Sequence, residues 1–246
     1  MWTLFYRNYL VWKQKLVPFA ALHIIAPLCL LYGFINAFQS YVPYTTNGTY
    51  LDFVTTGLAL NAAAIGAMWA TTYTSIMKLI YSHYYLSVLA TGTSVKEIIA
   101  GEILWNAACS TLIGFLVITA SFLLRDDIVW TYFATIPILL LTSAATAAMG
   151  MFVLSCVYRH GDIMPFEALA TALFVFSGVF VQTDIFPEAL ITIAAIFPLY
   201  HGIILIRSLF DSTDTSVILL HTVYLITFFI VMFTVAVHRI KKRLFT

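Results

Sequence analysis

Charge is what this sequence has least of. Only 9% of its 246 residues are Asp, Glu, Lys or Arg, whereas an ordinary soluble domain carries about a quarter. So few charges cannot cover a soluble surface of this size, and with 62% of the chain hydrophobic the remainder would be aggregating patches. A water-soluble enzyme is therefore excluded, and lipid is the solvent for most of the molecule. The balance of 12 Lys+Arg against 11 Asp+Glu leaves +1, which argues against a polyanion-binding surface, so no nucleic-acid partner is expected.

Cysteine is scarce too. Cys29, Cys109 and Cys156 are odd in number, far apart and set in apolar runs, so neither a disulfide framework nor a metal-ligand spacing is present. We read them as small buried hydrophobes and expect no metal. The motifs GxxxxGK[ST], HExxH, GxSxG and CxxC are all missing. The chain cannot by itself be a nucleotide-driven pump, and no catalytic residue is assigned. Carboxylates deep in apolar runs, the usual mark of an ion relay, are lacking: Glu102 and Glu167 fall near predicted helix ends and Asp52 begins a run. The first residues do not follow the order of a cleaved signal peptide.

What is present is a series of apolar runs, each near the roughly 20 residues that cross a hydrocarbon core. Residues 1–16 mix Trp2, Phe5, Tyr9 and Trp12 with Arg7, Lys13 and Lys15, which predicts a helix lying in the headgroup region and ending at Pro18. Arg7, Trp12, Lys13 and Lys15 are its expected anchors. Spans follow at 17–38, at 51–73 with many small residues suited to close helix approach, at 98–124, 128–157, 165–183 and 215–238. Pro165 suits a first helical turn. Between them, 39–50 is a polar loop whose Asn47-Gly48-Thr49 sequon we read as a turn, and 74–97 is too polar to span, predicting an amphipathic cytoplasmic helix and turn. The stretch 184–207 is apolar but broken around Pro198 and Gly202. It predicts two half-helices forming a re-entrant hairpin, tolerated where protein buries the broken backbone.

Sidedness decides the count of crossings. Six spans, with both termini inside, leave only Arg125 and Arg207 outside among the twelve basic residues, while a seventh crossing would export the basic tail at 239–243. The expected fold is thus a single all-α polytopic membrane domain over 1–246: six transmembrane helices, an N-terminal interfacial helix and an external re-entrant hairpin between spans five and six. His23, His83, His160, His201 and His221 have no partner carboxylate at a fixed spacing, so structural roles are expected. Most of the 39 aromatics need only belts or core packing. An integral membrane enzyme using His201, Asp184 and Glu188 on lipid head groups lacks a paired acid/base spacing, and a secondary carrier or channel lacks deep carboxylates and a detectable inverted repeat.

Four segments carry a resemblance to a known family: YRNYLVWKQ at 6–14, LSVLATGTSVKEIIAGEILW at 86–105 with its pair Gly101-Glu102, FSGVFVQTDIFPEAL at 176–190, and FPLYHGIILIR at 197–207. In combination they resemble the membrane subunits of ABC-2 type transporters, especially the nodulation-factor exporter branch. Val181 and Gln182 replace a proline usual in that branch, and His83, Tyr84 and Tyr85 replace acidic or basic residues. The resemblance implies a permease that dimerises with a second copy and works with two separately encoded ATPase subunits. ATP and Mg would sit on that partner, with no cofactor on this chain. It further implies an inner-membrane exporter of an amphipathic or glycan-containing substrate. Tyr81, His83, Tyr84, Tyr85, Leu86 and Leu89 would couple to the ATPase, and Phe180, Pro187, Pro198 and His201 would form an external gate.

Overall fold

The computed structural model describes residues 2–13, 16–38, 44–45, 48–82, 84–121, 133–181, 183–210 and 214–245. Lys15, His83, Asn47, Arg125 and Gln182, and the side chains of Trp12, Lys13, His23, His160 and Asp184, lie outside the described set.

The elements in chain order are α1 (Trp2–Lys13), α2 (Leu16–Phe38), a two-residue antiparallel ladder of β1 (Tyr44–Thr45) with β2 (Gly48–Thr49), α3 (Tyr50–Ile76), α4 (Tyr84–Leu89), α5 (Val95–Ser121), α6 (Thr135–Cys156), α7 (Met164–Phe176), α8 (Glu188–Ala194), α9 (Pro198–Ser208) and α10 (Thr215–Phe245). Between α3 and α4 the helix continues as a π-helical turn, Met77–Tyr81. Among the described residues, four stretches are long and apolar enough to cross a membrane: Tyr50–Tyr81, Val95–Ser121, Thr135–Cys156 and Thr215–Phe245. The pair α8 and α9 meets the same criterion taken together, but bends by 95° at its break.

Three boundaries differ from expectation. The opening helix is described as far as Lys13, and Pro18 lies inside the helical stretch described from Leu16 on, rather than after a last helical turn. The fifth apolar run is helical for only 13 residues, Met164–Phe176, about 20 Å against a core of about 30 Å. Its end is a turn at Gly178, whose φ of +89° suits glycine. Finally α10 runs on through the basic tail to Phe245.

Helix α3 is the hub, packed between α5 and α6 along its row of Ala59, Ala63, Ala64 and Ala67, all fully buried. In lipid no hydrophobic force draws helices together, so close backbone approach and interhelical hydrogen bonds must. Glycines supply the approach. A Cβ at Gly114 of α5 would stand 2.7 Å from the Ala59 carbonyl oxygen, and one at Gly150 of α6 would run into the carbonyl of Met68. Thr72 donates to the carbonyls of Met68 (2.9 Å) and Gly150 (3.1 Å), joining α3 to α6 at that point. By contrast only 6% of the apolar window of α10 is buried, against 67% for α3 and α6. Helix α10 is therefore peripheral, touching the bundle along one stripe.

Candidate functional site

Two polar clusters stand out, at opposite ends of the bundle. The first gathers where α3 ends and α5 begins. Glu102, in the second turn of α5, is completely buried, where an unpaired carboxylate would be strongly unfavourable. Lys78 of the π-helical turn answers it, with Nζ 2.7 and 2.6 Å from the two carboxylate oxygens. Asn8 of α1 completes the group. Its amide donates to Glu102 Oε2 and its own oxygen accepts from Lys78, each at 3.3 Å. Asn106 donates back to the Glu102 carbonyl at 2.9 Å. Three separate segments thus share one ion pair.

Aromatic contacts reinforce the docking of α1. Phe5 and Tyr9 meet Trp105 edge-on at 5.0 and 6.4 Å. Arg7 lies over the ring of Tyr84 at 3.9 Å, a cation–π contact. Arg7, one of the expected head-group anchors, faces the short helix α4. Next to it Tyr85 is buried, and that burial, with the negative charge of Glu102 adding to it, holds its phenol well above the ordinary range.

The residues expected to couple to an ATPase consequently divide. Tyr81 and Leu86 are 57% and 47% exposed, while Tyr85 is 1% exposed and Leu89 packs on the core. Tyr84 is half-covered. One turn of α4 therefore presents an outer apolar surface directly over an inner plug. The turn after it is sharply defined: Gly92 adopts φ +85°, and Ser94 and Glu97 form a reciprocal cap on α5, with the Ser94 amide donating to Glu97 Oε2 at 2.9 Å and the Glu97 amide to Ser94 Oγ at 3.3 Å. Nearby, Tyr73 donates to Glu167 at 2.8 Å and ties α3 to the start of α7.

The second cluster brings together the FSG and HGIILIR segments. Arg207, at the end of α9, donates to the Gly178 carbonyl at 2.7 Å and stacks over Phe53 of α3 at 3.8 Å. Phe180 stacks on Phe34 of α2 at 4.9 Å. Pro187 precedes the first residue of α8 and Pro198 opens α9, so the two prolines set the starts of the two bent helices. His201 is buried against α10, in contact with His221 and Tyr224.

Between the two ends, a cleft of about 300 Å³ lies among α2, α3 and α5, walled by Pro27, Leu30, Leu58, Ile65 and Trp69 with the single amide of Asn61. Cys29 is exposed and Cys109 and Cys156 are partly so, in place of the burial expected. A thiol is small and weakly polar, and an apolar environment outside the core accepts it as readily as the core does.

Nothing in the spacing of Asn8, Lys78 and Glu102 joins them along the sequence. The available signal was three strongly polar residues, each beside an apolar run.

The architecture is that of a polytopic helical membrane protein. Residues 33–238 match the family model for the ABC-2 family transporter protein, and the chain belongs to that family. It is similar to Nodulation protein J of Rhizobium leguminosarum bv. viciae, 25% identical over 97% of this chain and 92% of that protein. It also resembles those of Rhizobium meliloti strain 1021 (24%; 97% and 91%) and Bradyrhizobium diazoefficiens (24%; 99% and 94%). No solved structure matches. This family makes the chain a transport subunit rather than an enzyme.

Proposed function

We propose that this chain is the permease subunit of an ATP-driven exporter, acting as two copies with two ATPase subunits that carry the ATP and Mg. The observation that carries the reading is the ion pair of Lys78 and Glu102 with Asn8. It binds α1, the π-helical turn and α5 into one body around Tyr85, leaving Tyr81 of the turn and Leu86 of α4 outward. A partner that moves α4 must then move α3 and α5 with it. Nucleotide can drive this only by favouring one arrangement over the other, since a ligand shifts an equilibrium by its differential affinity alone.

In this reading α2 and the shorter α7 complete six crossings, both termini face the cytoplasm of an inner membrane, and α8 with α9 is a re-entrant hairpin closing the exit from outside. The apolar cleft beside Asn61 suits an amphipathic substrate. A glycan-containing molecule stands among the candidates because the resemblance to the nodulation-factor exporter branch implies one. The test is reconstitution: liposomes containing the chain with its ATPase transport substrate on ATP addition, and the chain alone does not. Transport by the chain alone would overturn the proposal.

A further inference from the structure

The bend between α8 and α9 holds a pair of imidazoles whose protons can be counted. His201 on α9 and His221 on α10 face each other with Nδ1 to Nδ1 at 2.6 Å, and Nε2 of His201 stands 2.8 Å from the carbonyl oxygen of Ala195. A carbonyl only accepts, so Nε2 of His201 carries a hydrogen and the Nδ1 of the neutral ring is bare. The hydrogen between the rings therefore belongs to His221, which donates it to His201. The face of His201 lies on Tyr224 at 3.7 Å, and the Tyr224 hydroxyl donates to the carbonyl of Ile196 at 2.8 Å. Helix α8 ends at Ala194, so the two carbonyls just past its end, which a terminated helix leaves without acceptance duties of its own, are taken by His201 and by α10. The bend is made by these bonds.

Proton counting then sets the behaviour. One added proton can go to Nε2 of His221, which keeps the bond between the rings and makes it charge-assisted. A second proton puts hydrogens on both facing Nδ1 atoms and two like charges side by side, and the bond is lost. Around the pair α10 contributes Tyr224, and α9 contributes Tyr200, edge-on to His201 at 5.4 Å. The α8–α9 break gives only carbonyls. Helices α6 and α3 bring Thr142 and Leu60 against the adjoining Gly202. Among these described neighbours no carboxylate offsets a second charge.

We infer that the His201–His221 pair is a latch fastening the hairpin to the last helix, holding with up to one added proton and opening when both rings are charged. That opening would free the exit rests on the gate reading above, while the latch itself rests on this geometry. The test uses the full chain in lipid nanodiscs with Cys29, Cys109 and Cys156 replaced by Ala, spin labels at Ile193→Cys and Leu220→Cys, and unlabelled chain in excess to isolate distances within one copy. Pulsed EPR should show one short distance at about pH 7.5 and about pH 6, and a second, longer one at about pH 4.5. His221→Gln, whose amide can still donate to His201 while one titratable ring remains, should keep the short distance throughout.

An unchanged distance in the parent chain at the lowest pH, or opening of the His221→Gln chain like the parent, would overturn the latch. Should that variant fail to fold, histidine nitrogen NMR of the parent chain decides instead: hydrogen on Nε2 of His201 and on Nδ1 of His221 at neutral pH supports it, and any other tautomer pair refutes it. Cross-linking the two cysteines separates the readings. If the hairpin moves with pH yet the cross-linked chain transports normally, the gate fails and the latch stands. If the cross-link blocks transport but pH moves nothing, the latch fails and the gate stands.

Discussion

Lys78 and Glu102 meet at 2.6 Å although 24 residues separate them, and only one of the two is sealed from solvent: Glu102 is 0% exposed and Lys78 18%. That asymmetry orders the effects of breaking the pair. Lys78→Met strands a buried carboxylate, whereas Glu102→Gln leaves a neutral amide and an ammonium that can reach water. Removing one partner of a fully buried pair costs about 3 to 5 kcal/mol, and the partial exposure of Lys78 lowers this for the Glu102 variant. Lys78→Met should lose more of its monodisperse fraction after heating in detergent than Glu102→Gln, with the double variant between them or better. Equal losses would mean that the carboxylate is not isolated when Lys78 goes.

Leu86 and Leu89 lie on one short helix but face different environments. Leu86→Glu should leave folding intact and reduce transport per ATP hydrolysed in the reconstituted complex. Leu89→Glu should instead lower yield and thermal stability, because it drives a carboxylate into the core. Coupling assayed beside melting curves separates the two. Normal coupling in Leu86→Glu would remove α4 from the transmission path.

Arg207 holds the Gly178 turn by a charge-assisted hydrogen bond and by stacking on Phe53. Arg207→Lys keeps the charge but loses the planar group that does both at once. A hydrogen bond to a charged group is worth about 1.5 to 3 kcal/mol, so a fall in thermal stability of that order should accompany faster proteolysis near residues 178–187. Gly178→Ala should act in the same direction, since its φ of +89° strains any other residue and the new Cβ would stand 2.8 Å from Thr183.

Gly150→Ala tests the packing of α3 on α6. Its methyl would meet the backbone of Met68, which cannot rotate away, and overpacking of this kind costs about 1 to 3 kcal/mol. Gly33→Ala, with nothing among the described residues within 4 Å, is the matched control and should be neutral or slightly stabilising through better helix propensity. Thermal shift of both variants checks the difference.

The long helices were legible because apolar length is a property of the sequence alone: α3, α5, α6 and α10 each coincide with a predicted run. Their partners were not. Lys78 and Glu102 have no helical spacing, since a turn and a second helix lie between them, and Gly178 and Arg207 belong to two motifs that only folding brings together. Pro18 reads as a terminator in the sequence, yet it lies within α2. Cysteine burial misled for a different reason. In lipid an apolar residue gains little by turning inward, so composition does not say which face is the core, and Cys29 faces out.

The π-helical turn at Met77–Tyr81 has a consequence for how this region can change. Such a turn is an α-helix carrying one residue more than its hydrogen bonds need, and that surplus sets the rotation at which Lys78 emerges. Deleting Met77, the residue of the turn that precedes Lys78, would rotate the ammonium about the helix axis by about 100°, away from Glu102. The inner end of the bundle therefore depends on residue count as well as on residue kind: a substitution at Met77 preserves the phase at which Lys78 leaves α3, and a change in length ahead of Lys78 does not.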